Sequence, residues 1–403
     1  MPTVRLPASP TVRTVSVTIG RTSGYGDVPM SERPFRVLVV AESFAPRVDG
    51  VANSVVRVLE RLDRDGHEVR IVAAAPGPSS WGRFPVVRVR SVGFPGYRDV
   101  RLAWGRRAIA AELSEFRPDV VHVASPAAIG AVGLRECRRA GVPTVAIYQT
   151  DLGGFARGYG LSALAPLADR WIAAVHGLAN VTLAPSSPAV SHLTALGVPE
   201  VRRWPRGVDG VRFHPDRRSE GLRTALGAPG RTIVGYAGRL AKEKELQRLI
   251  PLAEDPSISV VIIGHGPCER ELREAMPSAA FLGFLTGDDL ATAIASLDVF
   301  VHTGRHETFC QTVQEALCAG VPVVAPRSGG PVDLVAHGEN GFLWDPSDPA
   351  SLAEHVGRIV HDEHLRLRLA DRARASVVHR TWESVLSDLI GTYNHLIAAG
   401  MPR

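Results

Sequence analysis

The stretch FRVLVVA, residues 35–41, decides the fold. It is an apolar run rich in valine, which is typical of a strand buried on both faces of a parallel sheet. A loop containing Pro46 and Gly50 follows it, and apolar residues then recur at helical spacing through residues 51–62, up to a stop at Gly66. A strand, a loop and a helix in this order predict a parallel sheet with right-handed crossovers.

The same alternation continues in two series along the chain. A link rich in Pro, Gly and Arg separates them near residues 205–230. We therefore predict an α/β fold of two Rossmann-like, doubly wound parallel-sheet domains that face a cleft, with ligands at the carboxyl ends of the strands. The predicted strands after the first are 68–73, 86–89, 120–123, 144–148 and 181–184 in the first series, and 232–237, 259–263, 280–283, 299–302, 322–325 and 341–343 in the second.

The pattern divides the chain into four segments. Residues 1–34 show no apolar period and are expected to form a disordered tail. Residues 35–205 are expected to form the N-terminal Rossmann-like domain, and residues 206–380 the C-terminal Rossmann-like domain. Residues 381–403 contain a last helix, which packs on the outside or crosses back to the N-terminal domain.

Composition and charge exclude several classes of protein. The chain has 403 residues, 45% of them hydrophobic, and a net charge of +5, which suits a two-core enzyme better than a nucleic-acid binder. No apolar run is long enough to span a membrane, and the N-terminus lacks the apolar core expected of a secretory signal. Whether translation starts at Met1 or at Met30 stays open. The four cysteines form no CxxC pair and no zinc pattern, so we expect free thiols, no metal site and a cytoplasmic protein.

The turn after the first strand of the C-terminal domain carries cations. Gly238 lets the backbone approach a ligand, Arg239 can grip phosphate oxygens with its planar guanidinium, and Lys244 adds a compact charge. Lys242 and Lys244 are the only lysines of the chain, which favours a specific use of the ammonium group in this loop. A solvated charged loop is the alternative. The position at the carboxyl end of a strand favours a site that stabilises a diphosphate leaving group.

A second candidate site follows the predicted strand at residues 299–302. Glu307 lies on the loop before a helix that we expect from near Phe309 to Gly320, and Glu315 lies about two turns into that helix. The free N–H groups of the helix N-terminus suit a diphosphate or a sugar hydroxyl, and the carboxylates can accept hydrogen bonds from sugar and ribose hydroxyls. The alternatives are that Glu307 only stabilises the helix dipole and that Glu315 is an ordinary exposed residue.

Glycine turns follow other predicted strands. Gly50 lies between the first strand and the first helix and faces the cleft from the N-terminal domain. Gly264 with Gly266, and Gly329 with Gly330, follow strands of the C-terminal domain. Each of these can be a simple turn, or can let a nucleotide lie against the backbone.

Together these motifs resemble the retaining GT-B glycosyltransferases of the family-four type, which include bacterial α-mannosyltransferases and enzymes similar to sucrose and glycogen synthases. The resemblance covers nearly the whole chain, from Arg36 to Tyr393. The segments at residues 49–54 and 148–151 look most similar to actinobacterial α-mannosyltransferases that build glycolipids from GDP-mannose. The most specific marks are the E-x7-E pair Glu307 and Glu315, the Gly238-Arg-Leu turn with Glu243-Lys244, and Gly207-Val-Asp209.

This resemblance implies a role for each candidate residue. Arg239 and Lys244 would bind the donor diphosphate, Glu307 the transferred hexose, and Glu315 the ribose hydroxyls. The enzyme would be a hexosyltransferase that needs no metal or other cofactor, and the leaving phosphate would help to deprotonate the acceptor during front-face substitution. The catalytic residues would be Arg239, Lys244 and Glu307, and the donor-binding set Gly50, Gly238, Arg239, Lys244, Gly264, Glu307, Phe309, Cys310 and Glu315.

The chain departs from the family pattern at three positions. Many members have His-Thr-Asp where this chain has Gln149, Thr150 and Asp151. Gln149 cannot act as a general base, so we expect no proton transfer by Gln149, and we place Gln149 and Asp151 on the acceptor side. Cys310 replaces the usual Gly after Glu-Thr-Phe and is expected to narrow the sugar pocket, and Asp333 stands where Glu is common.

The segment 81–107 suggests a partner on the acceptor side. It contains seven arginines and five aromatic residues against one acid, Asp99. Such a surface suits anionic lipid headgroups, and it can also suit single-stranded nucleic acid. A core strand at 86–89 with solvated neighbours is the alternative. We predict a peripheral protein on the inner face of the cell membrane with a lipid or glycolipid acceptor and without nucleic acid, and the oligomeric state stays open.

Three other functions stay open at this point. A UDP-sugar-dependent glycosyltransferase and a sugar-nucleotide 2-epimerase would have the same two-domain form. A nucleotide-sugar sensor would need the same cleft, but it gains nothing from cations that stabilise a leaving diphosphate. An oxidoreductase is poorly supported, because no GxGxxG motif follows the first strand.

Overall fold

The structure of the protein is a computed structural model that describes residues 34–399, except residues 48, 95–96, 155–159, 161, 227–229 and 349. The predicted tail at residues 1–34 therefore lies outside the described residues, apart from Pro34. In the described part of the chain, no helix is long and apolar enough to cross a membrane.

The first domain is built on a mostly parallel sheet. Its strands, among the described residues, are β1 Arg36–Ala41, β2 Glu68–Ala74, β3 Ser80–Trp81, β4 Phe84–Val89, β5 Ser91–Phe94, β6 Tyr97–Ala103, β7 Val120–Val123, β8 Thr144–Ile147, β9 Val181–Ala184 and β10 Val201–Arg203. Eight of them form one sheet in the order β10-β9-β8-β7-β1-β2-β4-β3, in which only the short β3–β4 pair is antiparallel. The strands β5 and β6 pair with each other as an antiparallel hairpin.

The helices of the first domain connect these strands. They are α1 Gly50–Arg64, α2 Arg106–Glu115, α3 Ile129–Ala140, α4 Ala165–His176 and α5 Ser187–Ala195. Helix α1 begins where Asp49 accepts hydrogen bonds from the backbone N–H groups of Val51 (2.9 Å) and Ala52 (2.8 Å), which satisfies donors that the helix leaves free. Its apolar face, with Leu59 and Leu62, is buried in the same core as β1. The cap thus fixes the start of α1 at Gly50.

The second domain has a fully parallel six-stranded sheet. The strands are β11 Thr232–Ala237, β12 Ile258–Ile263, β13 Ala280–Gly283, β14 Val299–Val301, β15 Val323–Pro326 and β16 Gly341–Trp344. Their order is β13-β12-β11-β14-β15-β16, the doubly wound order in which ligands bind where the strand order reverses, between β11 and β14. The helices are α6 Glu220–Ala225, α7 Ile250–Ala253, α8 Glu269–Ala275, α9 Gly287–Ala295, α10 Gln311–Cys318, α11 Ser351–His361 and α12 Glu363–Val377.

The last helix, α13 Trp382–Ala398, packs on the first domain rather than on the outside of the second. Leu389 and Tyr393 of α13 lie in the core cluster that contains Phe35. The indole N–H of Trp204 donates to the carbonyl oxygen of Val385 (2.8 Å). The chain therefore crosses between the domains twice, once after β10 and once before α13.

A buried hydrogen bond fixes this crossing. The Tyr393 hydroxyl lies 2.7 Å from Nδ1 of His122, and burial lowers the pKa of His122 to about 4, so the imidazole is neutral near pH 7. We expect Tyr393→Phe to leave this buried ring nitrogen without a partner and to lower the free energy of unfolding by about 1–2 kcal/mol. Urea unfolding followed by circular dichroism measures the loss, and Ser384→Ala, at an exposed position on the same helix, is the control. Equal stability of Tyr393→Phe and the control would contradict the expectation.

Candidate active site

The carboxyl ends of the two sheets face each other across a cleft. A cavity of about 160 Å³ lies between the loops that follow β8, β11 and β14. These loops follow strands near the points where the strand order of each sheet reverses, which is where doubly wound sheets bind ligands. The residues that line the cavity are Gln149, Thr150, Asp151, Glu243, Lys244, His306, Glu307 and Thr308.

An ion pair between Lys244 and Glu307 lies on the second-domain wall of this cavity. The Lys244 ammonium donates to Oε1 of Glu307, and both side chains are about four-fifths buried, with 22% and 19% exposed. Nε2 of His302 lies 3.3 Å from the same carboxylate oxygen, and His302 is buried at the end of β14. The Thr303 hydroxyl donates to the backbone carbonyl of Lys244, which ties the β11 loop to the β14 loop.

The electrostatics of this group hold it in a charged state. Burial alone would raise the pKa of Glu307, but Lys244 and His302 outweigh it and hold the pKa of that carboxyl well below its usual range. Burial opposes the charge of Lys244, yet the contact with Glu307 raises the pKa of the ammonium. Burial likewise opposes a charged His302, while Cys310 and Glu307 raise its pKa to about 9. Near neutral pH the site therefore holds a cationic Lys244 beside a Glu307 carboxylate.

Gln149 uses its amide within the protein. Its Nε2 donates to the carbonyl oxygen of Ala124 (2.6 Å), and its Oε1 accepts from Nη2 of Arg206. The Thr308 hydroxyl of the second domain donates to the backbone carbonyl of Gln149 (3.0 Å). The acceptor-side residue that we selected from the sequence thus connects the two domains.

Arg206 is a site residue that the sequence reasoning missed. It is 9% exposed, and its Nη1 donates to the carbonyl oxygen of Gly50 (2.6 Å) while Nη2 reaches Gln149. Burial lowers the pKa of Arg206 to about 10, so the guanidinium stays charged at neutral pH. Its own backbone carbonyl accepts from Nε2 of Gln314 (3.0 Å) on α10. One residue therefore connects α10, which carries Glu315, to two loops of the first domain.

The loop from Glu307 to Cys310 places its backbone at the entrance of α10. The helix begins at Gln311, two residues later than predicted, because Cys310 has φ 77°, a left-handed conformation that glycine adopts more easily. Phe309 is buried in the second-domain core, so only its backbone faces the site. The N–H of Gly330 donates to the carbonyl oxygen of Glu307 (2.8 Å), which links the glycine turn after β15 to this loop.

The turns after β11 and β12 touch each other. A Cβ atom on Gly264 would lie 1.9 Å from the carbonyl oxygen of Gly238, so the close contact requires glycine at residue 264. Arg239 follows directly in this turn and is half-buried, but it does not border the cavity. The structure thus gathers Lys244, Glu307, Gln149 and Asp151 around one cavity, and places Arg239, Gly264 and Glu315 beyond its lining.

Asp151 belongs to a second polar cluster that spacing alone did not reveal. One ligand atom each from Asp151, Asp169 and His192 lie within 4.8 Å of one another. Nε2 of His192 lies 3.4 Å from Oδ1 of Asp169, and Oδ1 of Asp151 accepts from the N–H of Gly154 (2.8 Å). We assign no metal to this cluster, although Oδ1 of Asp169 and Nε2 of His192 are buried and make no hydrogen bond to the described residues. Its importance is its position on the first-domain wall of the cleft.

Glu315 lies on α10 and is half-buried. Burial raises the pKa of its carboxyl to about 8, opposed by Gln311 and Arg212. The surface exposure that we weighed against a binding role is therefore wrong. A half-buried carboxyl of this kind is suited to accept hydrogen bonds from the hydroxyl groups of a bound ligand.

The raised pKa of Glu315 predicts a pH dependence of stability. Because the folded carboxyl binds its proton more tightly than the unfolded one, the free energy of unfolding should fall as pH rises from 4.5 to about 8. We expect Glu315→Gln to be more stable than the wild type by on the order of 2 kcal/mol above pH 8, and to match it near pH 4.5. Urea unfolding at both pH values measures this, with Glu274→Gln on the exposed face of α8 as control. A pH-independent difference would contradict the burial of a neutral carboxyl.

Two facing doubly wound domains with a cleft at the strand ends are the GT-B fold, and a solved structure agrees. The crystal structure of Anabaena Alr3699/HepE in complex with UDP superposes with a TM-score of 0.75 at 21% identity, and covers 90% of this chain and 100% of that chain. At this identity the comparison supports the fold alone. The predicted GT-B fold is confirmed.

Comparisons of sequence identify the family. Residues 48–212 match the model described as Glycosyltransferase Family 4, and residues 220–376 match the model described as Glycosyl transferases group 1. A "GDP-mannose-dependent alpha-mannosyltransferase" of Mycobacterium tuberculosis is 47% identical, over 89% of this chain and 96% of the relative. A "GDP-mannose-dependent alpha-(1-6)-phosphatidylinositol dimannoside mannosyltransferase" of the same species is 29% identical, over 89% and 95%.

The chain belongs to the family-four type of GT-B glycosyltransferases. It is an enzyme that transfers a hexose, as the sequence predicted.

Proposed function

We propose that this protein transfers an α-mannosyl residue from GDP-mannose to a hydroxyl group of a lipid or glycolipid acceptor, with retention of configuration. Both mannosyltransferase relatives use GDP-mannose by name, in agreement with the donor expected from the sequence. The observation that carries the proposal is the Lys244–Glu307 pair with His302 at the wall of the cleft. The name of the second relative, which acts on a phosphatidylinositol glycolipid, supports a lipid acceptor.

The donor is proposed to lie along the strand ends of the second domain. Lys244, at the cavity, and Arg239, in the preceding turn, would neutralise the diphosphate. The half-buried Glu315 carboxyl would accept hydrogen bonds from the ribose hydroxyls, which replaces the water it has lost. Glu307, already oriented by Lys244, would accept hydrogen bonds from hydroxyls of the mannose ring.

The transfer itself needs charge stabilisation more than a protein base. The bond between mannose C1 and the phosphate oxygen breaks as the acceptor oxygen forms a bond with C1 on the same face. The acceptor proton goes to the leaving phosphate, and Lys244 and Arg239 stabilise the negative charge of that phosphate. Gln149 takes no part in this proton transfer, because its amide is held by Ala124 and Arg206.

The acceptor is proposed to enter over the first-domain wall. Asp151 lines the cavity opposite Glu307 and can accept a hydrogen bond from an acceptor hydroxyl. Arg206 connects the carbonyl oxygen of Gly50 to Gln149, which lines the same wall. Two cations at the donor side distinguish this arrangement from that expected of a sensor, which needs no stabilisation of a leaving group.

Isothermal titration without metal tests the donor. Wild-type protein and Arg239→Ala are titrated with GDP, GDP-mannose, UDP and UDP-glucose. We expect selective binding of the guanine nucleotides, weakened in the variant by about 2 kcal/mol because a charged hydrogen-bond partner is lost. Uridine preference would keep the transferase and reject GDP-mannose. Conversion of the donor to an isomeric sugar nucleotide without acceptor would indicate a 2-epimerase instead.

A further inference from the structure

Three large apolar side chains are exposed in a row beside helix α4. Leu164, just before the helix, is 51% exposed, Leu167 is 64% exposed and Trp171 is 40% exposed. Their spacing of three and four residues places them on one face, because side chains recur at that interval along a helix. Exposed apolar residues that occur singly need no explanation, but a row that includes a tryptophan does.

Arginines surround this apolar row. Arg170 on α4 is exposed, and so are Arg135, Arg138 and Arg139 on the neighbouring helix α3. The guanidinium carbon of Arg135 lies 5.6 Å from the centre of the Trp171 ring, so the two helices present one continuous surface. We name this surface the α4 face, and define it by Leu164, Leu167, Arg170, Trp171 and Arg135.

Helices α3 and α4 carry one acidic residue each, Glu136 and Asp169. Glu136 of α3 accepts from Arg106 (2.9 Å) and from Arg139. Asp169 of α4 faces away from the row, and its Oδ1 lies 3.4 Å from Nε2 of His192. The unpaired excess of charge at the surface is therefore positive, which complements a negatively charged partner.

The α4 face borders the acceptor side of the cleft. Asp169 lies one residue before Arg170 on α4, and its carboxylate belongs to the cluster with Asp151 and His192. Asp151 lines the cavity opposite Glu307. A molecule that contacts the exposed side of α4 is thus separated from the cavity by little more than this one helix.

The segment 81–107, which the sequence favoured as the basic surface, is engaged within the protein over much of its described length. Arg83 pairs with Asp63, and Arg88 donates to the carbonyl oxygens of Ala74 (3.0 Å) and Ala45 (2.7 Å). The side chains at residues 94–102 lie outside the described residues. The exposed Trp104 (59%) lies just before α2, which packs against α3.

We infer that the α4 face docks on an anionic lipid surface, with Leu167 and Trp171 in the membrane interface and Arg135 and Arg170 at the headgroups. Tryptophan and leucine beside arginine suit the boundary between headgroups and acyl chains. This inference rests on the proposed lipid acceptor, because such docking brings the cleft wall at Asp151 close to the leaflet. It shifts the membrane surface from the segment 81–107 to α3 and α4.

Sedimentation with lipid vesicles tests this docking. Wild-type protein is mixed with vesicles of phosphatidylcholine alone, and with vesicles that also contain phosphatidylglycerol. The double variant Leu167→Ser/Trp171→Ser is compared with Leu367→Ser/Val378→Ser, whose residues are similarly exposed (58% and 38%) on the second domain. We expect wild type and control to bind only the anionic vesicles. The double variant should bind these vesicles at least about tenfold more weakly, because two apolar side chains no longer enter the interface.

Two further arms separate the causes. Arg135→Gln/Arg170→Gln should weaken vesicle binding and reduce its dependence on salt, since two headgroup contacts are lost. Equal vesicle binding by Leu167→Ser/Trp171→Ser and the control would overturn the inference. The inference would also be overturned if the wild type were a dimer and Leu167→Ser/Trp171→Ser a monomer while both bound vesicles equally. Titration with GDP is run on the wild type and on every variant, so that nucleotide binding and vesicle binding are measured separately. A wild type that does not bind GDP would reject the proposed function, and the vesicle experiment would still decide whether the α4 face binds lipid.

Discussion

Lys244→Ala is expected to lower kcat for mannosyl transfer by about 1000-fold. Lys244 lies on the cavity wall and, with Arg239, is proposed to stabilise the leaving diphosphate, and removal of one such preorganised group costs about two to three orders of magnitude in rate. The control is Lys242→Ala, which removes the other lysine of the chain from an exposed position two residues away. We expect less than about a twofold change in kcat for the control, since exposed substitutions are usually near neutral.

The same substitution also tests the ion pair. In Lys244→Ala the buried carboxylate of Glu307 loses its main cation, which should lower the free energy of unfolding by about 3 kcal/mol at pH 7. Because the native pair holds the pKa of Glu307 below its usual range, that contribution is present above the unfolded pKa of 4.5 and is lost as pH falls below it. The stability difference from the wild type should therefore shrink at low pH.

A second substitution separates stability from catalysis. Glu307→Gln in the Lys244→Ala background removes the unpaired charge, so it should restore most of the lost stability and none of the activity. Full activity of Lys244→Ala would show that the cleft pair has no part in transfer. Loss of stability without pH dependence would show that the pair is not the cause.

Arg206→Ala is expected to lower kcat by about 100-fold while GDP binding stays nearly unchanged. Arg206 connects Gly50 and Gln149 of the first domain to the backbone that Gln314 of α10 holds. Without Arg206 the two walls of the cleft are no longer held in a fixed relative position. A misplacement of about 1 Å between reacting groups can lower the rate by two orders of magnitude. Steady-state kinetics with GDP-mannose, beside titration with GDP, measures the two effects separately.

Matched variants define the role of Arg206 as positioning. Arg202→Ala, four residues earlier and paired at the surface with Glu200, should change neither kinetics nor binding. Arg206→Lys keeps the charge, but an ammonium group cannot donate to Gly50 and Gln149 at the same time as the planar guanidinium does. This variant should therefore recover little of the rate. Near-wild-type kcat in Arg206→Lys would show that charge alone is needed. A parallel loss of GDP affinity in Arg206→Ala would place the residue in donor binding instead.

The buried strands were predictable because they are apolar on both faces. The strands β1 and β7 stand out in the sequence as short runs rich in valine, and their alternation with helical segments predicts a doubly wound sheet. The hairpin of β5 and β6 was not predicted. Its exposed Val92 and neighbouring charges produce no apolar run, so nothing in the sequence separates it from a loop.

The candidate site was predictable only as far as local motifs extend. Lys244 and Glu307 come from separate loops, and their positions after β11 and β14 sufficed to place both at one edge of the sheet. The contacts of Arg206 were not accessible in this way, because its partners Gly50 and Gln149 are 156 and 57 residues away. Its place directly before Gly207-Val-Asp209 was the one local signal.

The start of α10 shows how a backbone conformation can shift a predicted boundary. Phe309 looked like the first helical residue because it opens an apolar period. The left-handed conformation of Cys310 prevents the helix from starting before Gln311, and the Phe309 side chain packs in the core instead. The family usually has Gly where this chain has Cys310, which fits the conformation found here.

The most direct test of the central claim is mannosyl transfer in the presence of EDTA. Wild-type protein and Lys244→Ala are incubated with radiolabelled GDP-mannose and membrane lipids, and the labelled lipid is isolated and digested with α- and β-mannosidases. We predict a labelled lipid that α-mannosidase alone releases, formed by the wild type and not by Lys244→Ala. Folded wild-type protein that binds GDP-mannose yet labels no lipid, or that forms a product released by β-mannosidase, would contradict a retaining GDP-mannose-dependent transfer to lipid.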